Sequence, residues 1–185
     1  MTPTGTPGPL VRPAMAVDVV AITDIYNHAV VHTTASYDLA PVSLLSRELW
    51  FAEKQADGWP VLVVEVQGVV VGWSTFGPFR PKAGFQHTVE HSVYVADGHQ
   101  GHGLGRALLQ PLIEECRRRG VHAMVGGLDA DNAGSLAFHR RLGFVEAGRL
   151  PQVGRKFDRW LNLVFAVLLL DEEDEAPAGR VGVEG

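Results

Sequence analysis

The sequence predicts one domain of mixed α/β class, with an antiparallel first half and a βαβ-like second half. Two β-branched runs joined at Gln67-Gly68 predict a hairpin. Further along, a strand-like run is followed by a glycine-rich turn and an amphipathic helix, which is the order that connects parallel strands. The chain has 185 residues and is 46% apolar, which suits one core rather than two.

The first half combines helix and strand patterns. Predicted strands span 10–14, 61–66, 69–76 and 88–95. Predicted helices span 17–31 and 42–55. Pro41 precedes the second helix, and Ser43 is a suitable N-cap because its hydroxyl can accept a hydrogen bond from a first-turn amide. The Asp57 to Pro60 segment interrupts the pattern and separates this helix from the hairpin.

The second half repeats the order strand, turn, helix. A helix is predicted from the turn at 97–105 to Arg119, and Gly120 is a plausible C-terminal stop. Predicted strands span 123–128, 145–150 and 160–170. A further helix is predicted over 132–142. Together these elements predict a mixed sheet whose last strand is strongly apolar.

Charge is distributed unevenly and limits the classes of partner. Lys and Arg number 16 against 21 Asp and Glu, a net charge of −5, all of which falls in residues 171–185. We expect flexible tails at 1–9 and 171–185 around one domain at 10–170. The neutral domain argues against nucleic acid as a partner. With no apolar run long enough for a membrane span and no secretory signal, we expect a cytoplasmic protein.

Cysteine and histidine give no sign of a metal site. Cys116 is the only cysteine and lies in a helical pattern, so we expect a buried, unreactive thiol. Four histidines fall between 87 and 102, but a strand and a loop offer no helical i, i+4 pair, so we expect no bound metal.

The clearest chemical motif is the glycine-rich turn at residues 100–106, which opens a helix. Glycines allow backbone amides to approach a ligand, and the helix N-terminus adds unpaired amides and about half a positive charge. A dinucleotide fingerprint starting at Gly101 would need glycine where Arg106 stands, and no P-loop sequence is present. The turn is either an anion site or a connection without a ligand.

Several separated blocks resemble the GNAT N-acetyltransferase superfamily. The first is Gln100 to Gly105 after the strand Val93-Tyr94-Val95, and the second runs from Asn132 to Leu142-Gly143-Phe144. The blocks at 76–80, 88–95 and 154–161 resemble the phosphinothricin and methionine sulfoximine acetyltransferase branch. The resemblance implies about seven strands and four helices, with the central strands splayed apart at a bulge in the fourth. It also implies acetyl-CoA as the co-substrate.

The resemblance assigns a place to the co-substrate. The pantetheine arm would bond to the backbone of the fourth strand, and the pyrophosphate would rest on the amides of the turn. Asn132 would contact the bound ligands, although its identity equally suits a structural N-cap. The implied cofactor-binding residues are Val93, Tyr94, Val95, Gly101, His102, Gly103, Leu104, Gly105, Arg106, Asn132 and Arg141.

Glu90 is the predicted general base. An amine with a pKa of about 10 is almost fully protonated at pH 7, so a base must remove a proton before nitrogen attacks the thioester. Glu90 would act directly or through water, unless it is an ordinary surface carboxylate. His139 occupies the position of the tyrosine that often protonates the leaving thiolate in the family. It is a catalytic candidate, with water or simple packing as alternatives.

The predicted acceptor is the amine of a small amino-acid-like molecule. Arg80 can hold a carboxylate with its planar guanidinium. Lys82, Gly84, Phe85 and Asn132 complete the predicted substrate site, and this branch places a substrate-facing loop at Thr34, Ser36 and Tyr37. A protein N-terminus or an aminoglycoside as acceptor, and a non-catalytic acyl-CoA-binding module, remain alternatives. We expect a homodimer, from the resemblance and the apolar last strand.

Overall fold

A single twisted sheet organises the part of the chain that the computed structural model describes, residues 8–170. Its strands are β1 (Leu10–Pro13), β2 (Val61–Val66), β3 (Val69–Pro78), β4 (Thr88–Val95), β5 (Ala123–Asp129), β6 (Val145–Lys156) and β7 (Arg159–Leu169). Their order is β1-β2-β3-β4-β5-β7-β6. Only β4 and β5 pair in parallel, so the predicted mixed sheet is confirmed. Of the two expected tails, residues 1–7 and 171–185 lie outside the described part.

Two pairs of helices cover the two faces of the sheet. The helices are α1 (Val19–His32), α2 (Leu44–Ala56), α3 (Leu104–Arg118) and α4 (Ala133–Arg141). Ile22 and Phe51 from α1 and α2 pack with Trp73 on one face, while Leu112 of α3 packs with Met124 on the other. No helix within residues 8–170 is long and apolar enough to cross a membrane.

The helix ends follow the residues that predict them. Ser43 is the N-cap of α2, and its side chain accepts a hydrogen bond from the Ser46 amide at 3.1 Å. Gly120 follows α3 with φ +68°, a left-handed conformation that glycine adopts without strain. Inside α3, Cys116 is fully buried, and burial raises the pKa of its thiol to about 12. Both caps and the unreactive thiol agree with the sequence predictions.

The C-terminal hairpin differs from its prediction. β6 continues to Lys156 rather than ending near residue 150, because its ladder with β7 resumes at Gly154 after an irregularity that begins at Leu150. β7 lies between β5 and β6, and Leu161, Val164 and Ala166 are buried within one subunit, whereas Trp160 and Leu169 remain exposed. Gly154 also permits close approach, since a Cβ there would lie 2.6 Å from the Tyr37 ring.

The centre of the sheet opens between β4 and β5. These strands pair only at residues 88–90 against 123–125, although β4 continues to Val95. The bulge expected in β4 is not present in its ladder with β3, which runs without a register shift from Gly72↔Val95 to Pro78↔Val89. Beyond residue 90, β4 stays paired with β3, and β5 stays paired with β7 along its whole length.

Candidate active site

The opening leaves backbone groups of β4 without a strand partner. The Ala96 amide donates to Val71 of β3, and because neighbouring residues alternate, Tyr94 also directs its backbone toward β3. Val93 and Val95 therefore direct theirs toward the opening. The Val95 carbonyl there accepts a hydrogen bond from Gln100 Nε2 at 3.2 Å. Of the three residues predicted on β4, two offer backbone groups to a ligand in the opening.

Glu90 lies where β4 and β5 separate. It is the last β4 residue paired with β5, and its Oε1 would be 3.2 Å from a Cβ on Gly127. Its side chain is 38% exposed, and Arg80 Nη1 lies 3.9 Å from its Oε2. Burial raises the pKa of Glu90, and the nearby Arg80 charge opposes that rise. A carboxylate with a raised pKa beside a ligand-sized opening suits proton abstraction.

Glu90 also borders a cavity of about 480 Å³ between β3, β4 and the first two helices. Its sheet side is formed by alternate β4 residues, Glu90, Ser92 and Tyr94, together with their β3 neighbours. Its helix side is formed by Tyr26 of α1 and residues of α2. The cavity is large enough for a small amino acid and places that molecule's functional groups within reach of Glu90.

His139 lies across the sheet from Glu90. It is 2% exposed, and its Nδ1–H donates to the Ser135 carbonyl at 2.7 Å, which leaves Nε2 as an acceptor in the neutral ring. Nε2 has no protein partner. The ring stacks on His91 with centroids 5.1 Å apart. Burial lowers the pKa of His139, despite the Ser135 hydrogen bond, and lowers that of His91 to about 3.

The glycine-rich turn has the geometry of an anion site. Gly101 and Gly103 have φ values of +82° and +78°, and no atom lies within 4 Å of a Cβ built on either. Gly103 is the N-cap of α3, and the first helical bond runs from the Ala107 amide to its carbonyl. The amides of residues 104–106 are therefore outside the helical pattern and available to a ligand.

Side chains in and near this turn have different environments. Leu104 is buried in the core, whereas His102 and Arg106 are exposed. A Cβ on Gly105 would lie 3.3 Å from the Phe138 ring, so this glycine also lets α3 pack closely on α4. The turn thus fits a pyrophosphate through its backbone, with Arg106 as the side chain able to add charge.

Asn132 and Arg141 lie at opposite ends of α4. Asn132 is the N-cap, and its Oδ1 accepts from the Ser135 amide at 2.9 Å. This is the structural role weighed from the sequence, and it leaves the side-chain NH2 and one lone pair of Oδ1 for a ligand. Arg141 is exposed in the last turn. The structure does not bring Arg141 together with Glu90.

The predicted acceptor residues lie in the loop between β3 and β4. Arg80 packs over the Phe79 ring at 4.1 Å and donates to the Phe79 carbonyl, but it remains 47% exposed beside Glu90. Lys82, Gly84 and Phe85 are exposed farther along the loop, and neither they nor Arg80 line the cavity. Only Arg80 of this group is close to Glu90.

The loop after α1 is fixed to the C-terminal hairpin. The Lys156 ammonium donates to the Ser36 carbonyl at 2.6 Å, and the Tyr37 ring packs on Gly154. Thr34 donates to the buried carboxylate of Asp129. Ser36 contacts the Tyr26 hydroxyl at 3.0 Å, so this loop adjoins the cavity through Tyr26.

Sequence reasoning missed four residues of the site. Gly126 and Gly127 stand directly after the last β4–β5 pair, and a Cβ on Gly126 would lie 2.8 Å from His91 Nε2. Two successive glycines in a predicted strand are a recognisable signal of close approach. His91 and Arg47 carried no comparable signal, because their environment is created by other elements. Within residues 8–170, no three His, Cys, Asp or Glu side chains form a group able to hold a metal ion.

Comparisons with known proteins agree with this geometry. The model of the family described as "Acetyltransferase (GNAT) family" matches residues 22–144. An L-methionine sulfoximine/L-methionine sulfone acetyltransferase of Salmonella typhimurium is 51% identical over 88% of this chain and 95% of its own length. A phosphinothricin N-acetyltransferase of Alcaligenes faecalis is 39% identical over 80% and 75%, respectively. A Salmonella typhimurium acetyltransferase structure with acetyl-CoA has a TM-score of 0.87 at 48% identity, covering 94% of this chain and all of the other.

Proposed function

Because this chain belongs to the acetyltransferase (GNAT) family and is an acetyl-CoA-dependent N-acetyltransferase, we propose that it acetylates the amine of a small amino-acid-like acceptor. The acceptor is of the methionine sulfoximine or phosphinothricin type, as the names of its relatives state for those proteins. The observation that carries the proposal is Glu90, a half-buried carboxylate at the edge of both the strand opening and the acceptor cavity.

Acetyl-CoA occupies the opening and the glycine turn in this proposal. Its pantetheine arm lies along Val93 and Val95, and its pyrophosphate rests on the amides that precede Ala107. Support comes from the missing β5 partner along β4 and from the open space over Gly101 and Gly103. The thioester then lies near Gly126 and Gly127, where neither residue has a side chain to obstruct it.

Glu90 removes a proton from the acceptor ammonium, directly or through one water. The amine nitrogen then attacks the thioester carbonyl carbon, a C–N bond forms, and the C–S bond breaks with release of the CoA thiolate. Partial burial supports this role, because a raised pKa brings the carboxylate closer to the pKa of the proton it must accept. Both substrates are bound at once in this proposal, since the amine attacks the thioester directly.

The thiolate takes up a proton in the last step. His139 on α4 lies beside Gly126, since a Cβ built there would be 3.5 Å from its Nε2. That Nε2 carries a lone pair in the neutral ring, and burial disfavours the protonated form that an acid needs. We therefore propose that neutral His139 accepts a hydrogen bond at Nε2 from a water, and that this water passes to sulfur the second proton that the attacking nitrogen loses as the amide forms. A phenylalanine at this position would remove that acceptor while preserving most of the packing.

Arg80 binds the acceptor carboxylate. It already lies 3.9 Å from Glu90, and the amine and carboxylate of an α-amino acid are separated by two bonds through Cα, so one molecule can reach both side chains. Its half-exposed guanidinium has donors free for a bidentate contact. Acceptors without the carboxylate should then bind weakly.

A homodimer forms through the C-terminal hairpin in this proposal. Phe157 and Trp160 near the hairpin turn are 51% and 59% exposed, and β6 is an edge strand with an exposed face. Covering these groups in a dimer would bury apolar surface and would shield the unpaired backbone groups of the β6 edge. A concentration-independent mass of about 20 kDa in sedimentation would show instead that the protein is a monomer.

One assay tests the acetyl-transfer proposal. Thiol release from acetyl-CoA is measured with methionine sulfone, phosphinothricin, an aminoglycoside and an N-terminal peptide, for the native protein and for Glu90→Gln and His139→Phe. We expect amino-acid acceptors to be preferred, and Glu90→Gln to reduce kcat by about 10² to 10⁴ while acetyl-CoA still binds. His139→Phe should reduce kcat by a smaller factor. A Glu90→Gln enzyme with nearly native kcat would eliminate Glu90 as the base.

A further inference from the structure

The acceptor cavity contains two cations from α2 that the mechanism above does not use. Arg47 and Lys54 lie seven residues apart on one face of the helix, and both line the cavity that Glu90 borders. The Lys54 ammonium donates to the Phe76 carbonyl at 2.9 Å and would be 2.7 Å from a Cβ on Gly77, the β3 partner of Glu90. Lys54 therefore marks the Glu90 end of the cavity.

Arg47 lies at the other end of the cavity and packs against three aromatic rings. Its guanidinium carbon lies 4.1 Å from the Tyr26 ring centroid, 4.8 Å from that of Trp50 and 5.8 Å from that of Trp73. Trp73 pairs with Tyr94 across the ladder. Tyr94 is four residues beyond Glu90 on β4, which corresponds to about 13 Å of strand. The cavity is thus elongated between Glu90 and the guanidinium.

Arg47 is a buried cation without a direct salt bridge to any described residue. The residue is 7% exposed, its Nε has no hydrogen-bond partner, and no carboxylate among the described residues lies within 4.0 Å of its nitrogens. Burying a guanidinium without a salt bridge is costly, and aromatic rings compensate for only part of that cost. Burial lowers the pKa of Arg47, while Tyr26 and Asp38 oppose that shift. Nε is itself closed to solvent, so a ligand in the cavity would reach Arg47 through its terminal Nη atoms.

The charges and walls of the cavity indicate the kind of ligand group. Asp38 and Glu90 balance Arg47 and Lys54, so the lining has no net charge. A neutral group with strongly polar oxygen atoms would therefore satisfy Arg47 without adding charge to the cavity. The rings of Tyr26, Trp50 and Trp73 are suited to pack against methyl and methylene groups beside those oxygens.

We propose that Arg47 is a specificity-determining residue that donates hydrogen bonds to an oxygen on the side chain of the acceptor. The proposal rests on the acetyl-transfer function above and narrows its acceptor to amino acids with a neutral, oxygen-bearing side-chain end, such as a sulfone. In extended methionine sulfone, the amine nitrogen and sulfone oxygens are about 6 Å apart. That distance is shorter than the roughly 13 Å of strand between residues 90 and 94, which leaves room for the Glu90 carboxylate and the Arg47 guanidinium on the lining of the same cavity.

Methionine sulfone and methionine provide the test, because they differ only in the two oxygens on sulfur. We expect the native enzyme to prefer the sulfone in kcat/KM by about 10- to 100-fold, the value of a charge-assisted hydrogen bond. Arg47→Met should reduce this preference to within about threefold, mainly by raising KM for the sulfone. Arg47→Lys should restore part of it, and the exposed Arg118→Met serves as a matched control.

A ratio measured within one preparation separates specificity from folding, because the fraction of active enzyme cancels. If Arg47 only stabilises α1 and α2, Arg47→Met will lower the melting temperature and reduce both activities equally, and the unchanged preference will overturn the proposal. An equal native rate with both acceptors would also overturn it while leaving amino-acid acetylation intact. Acetylation of phosphinothricin alone would overturn the Arg47 proposal, and acetylation of none of the three amino acids would overturn the proposed function itself.

Discussion

His91 should make the stability of the protein depend on pH in a measurable way. Its ring is 7% exposed, stacks on His139 and contacts Phe144, and neither ring nitrogen has a protein hydrogen-bond partner. Burial and the neighbouring His139 lower its pKa to about 3 in the folded protein. In the unfolded chain the same group has a pKa of about 6.5.

The direction of the pH dependence is set by which state, folded or unfolded, binds the proton at His91. Between about pH 6.5 and pH 3 the unfolded chain binds a proton at His91 and the native state does not, so acidification favours unfolding. From pH 7 to pH 5 this one group should reduce the free energy of unfolding by about 2 kcal/mol, at 1.36 kcal/mol per pH unit below the unfolded pKa. The stability contribution of neutral His91 is fully present above pH 6.5. Burial lowers the pKa of His139 as well, which adds to the loss in the same direction.

Urea denaturation followed by tryptophan fluorescence at pH 7 and pH 5 measures the effect. His91→Leu should lose about 2 kcal/mol less than the native protein between the two pH values, whatever its stability at pH 7. His102→Gln is the matched control, because His102 is exposed and its replacement should leave the pH dependence unchanged. If His91→Leu and the native protein lose the same stability on acidification, the buried neutral state assigned to His91 is wrong.

Three further predictions concern the site. Because burial raises the pKa of Glu90, the acidic limb of the pH profile of kcat/KM should have a midpoint above the ordinary carboxyl pKa of about 4.3. Arg80→Ala should raise that midpoint further, because it removes the opposing positive charge. A midpoint at or below about 4.3 in the native enzyme contradicts this prediction. Gly103→Val should weaken acetyl-CoA binding in calorimetry, because valine is strained at φ +78°. Gly103→Asn should retain most of the affinity, because asparagine tolerates this conformation. Equal affinities of the two variants for acetyl-CoA would contradict the left-handed turn as the binding geometry. Arg80→Ala should raise KM for amino-acid acceptors by about 10- to 100-fold with little effect on an acceptor amide, and equal effects on both would exclude a carboxylate contact.

The sequence was most informative where local chemistry determines structure. The β-branched runs, the Ser43 cap and the glycine-rich turn that opens a helix are local signals, and each predicted its element closely. The length of β6 was not predictable, because Pro151 and the neighbouring glycines indicate an end, whereas pairing with β7 restores the strand beyond them. Tertiary pairing overrides local propensity there.

In the candidate site, too, some residues could be predicted from local sequence and others could not. Glu90 and the glycine turn belong to blocks that could be read in order along the chain. Arg47 is an ordinary helix residue by its sequence, and only packing of α2 against Tyr26 and Trp73 makes it a buried cation in the cavity. His91 likewise gains its partner from α4, which lies far along the chain. Such residues can be found only from the folded molecule.

The unbroken ladder between β3 and β4 has a consequence for how the protein tolerates insertions and deletions. Glu90 and His91 are adjacent in sequence but face opposite sides of the sheet. A slip of one residue would place an imidazole in the acceptor cavity and a carboxylate in the apolar interior against Phe144. Changes of length between Phe79 and His87 can be absorbed by the loop, whereas a single deletion inside β4 would exchange the environments of the two ionisable groups and abolish both roles at once.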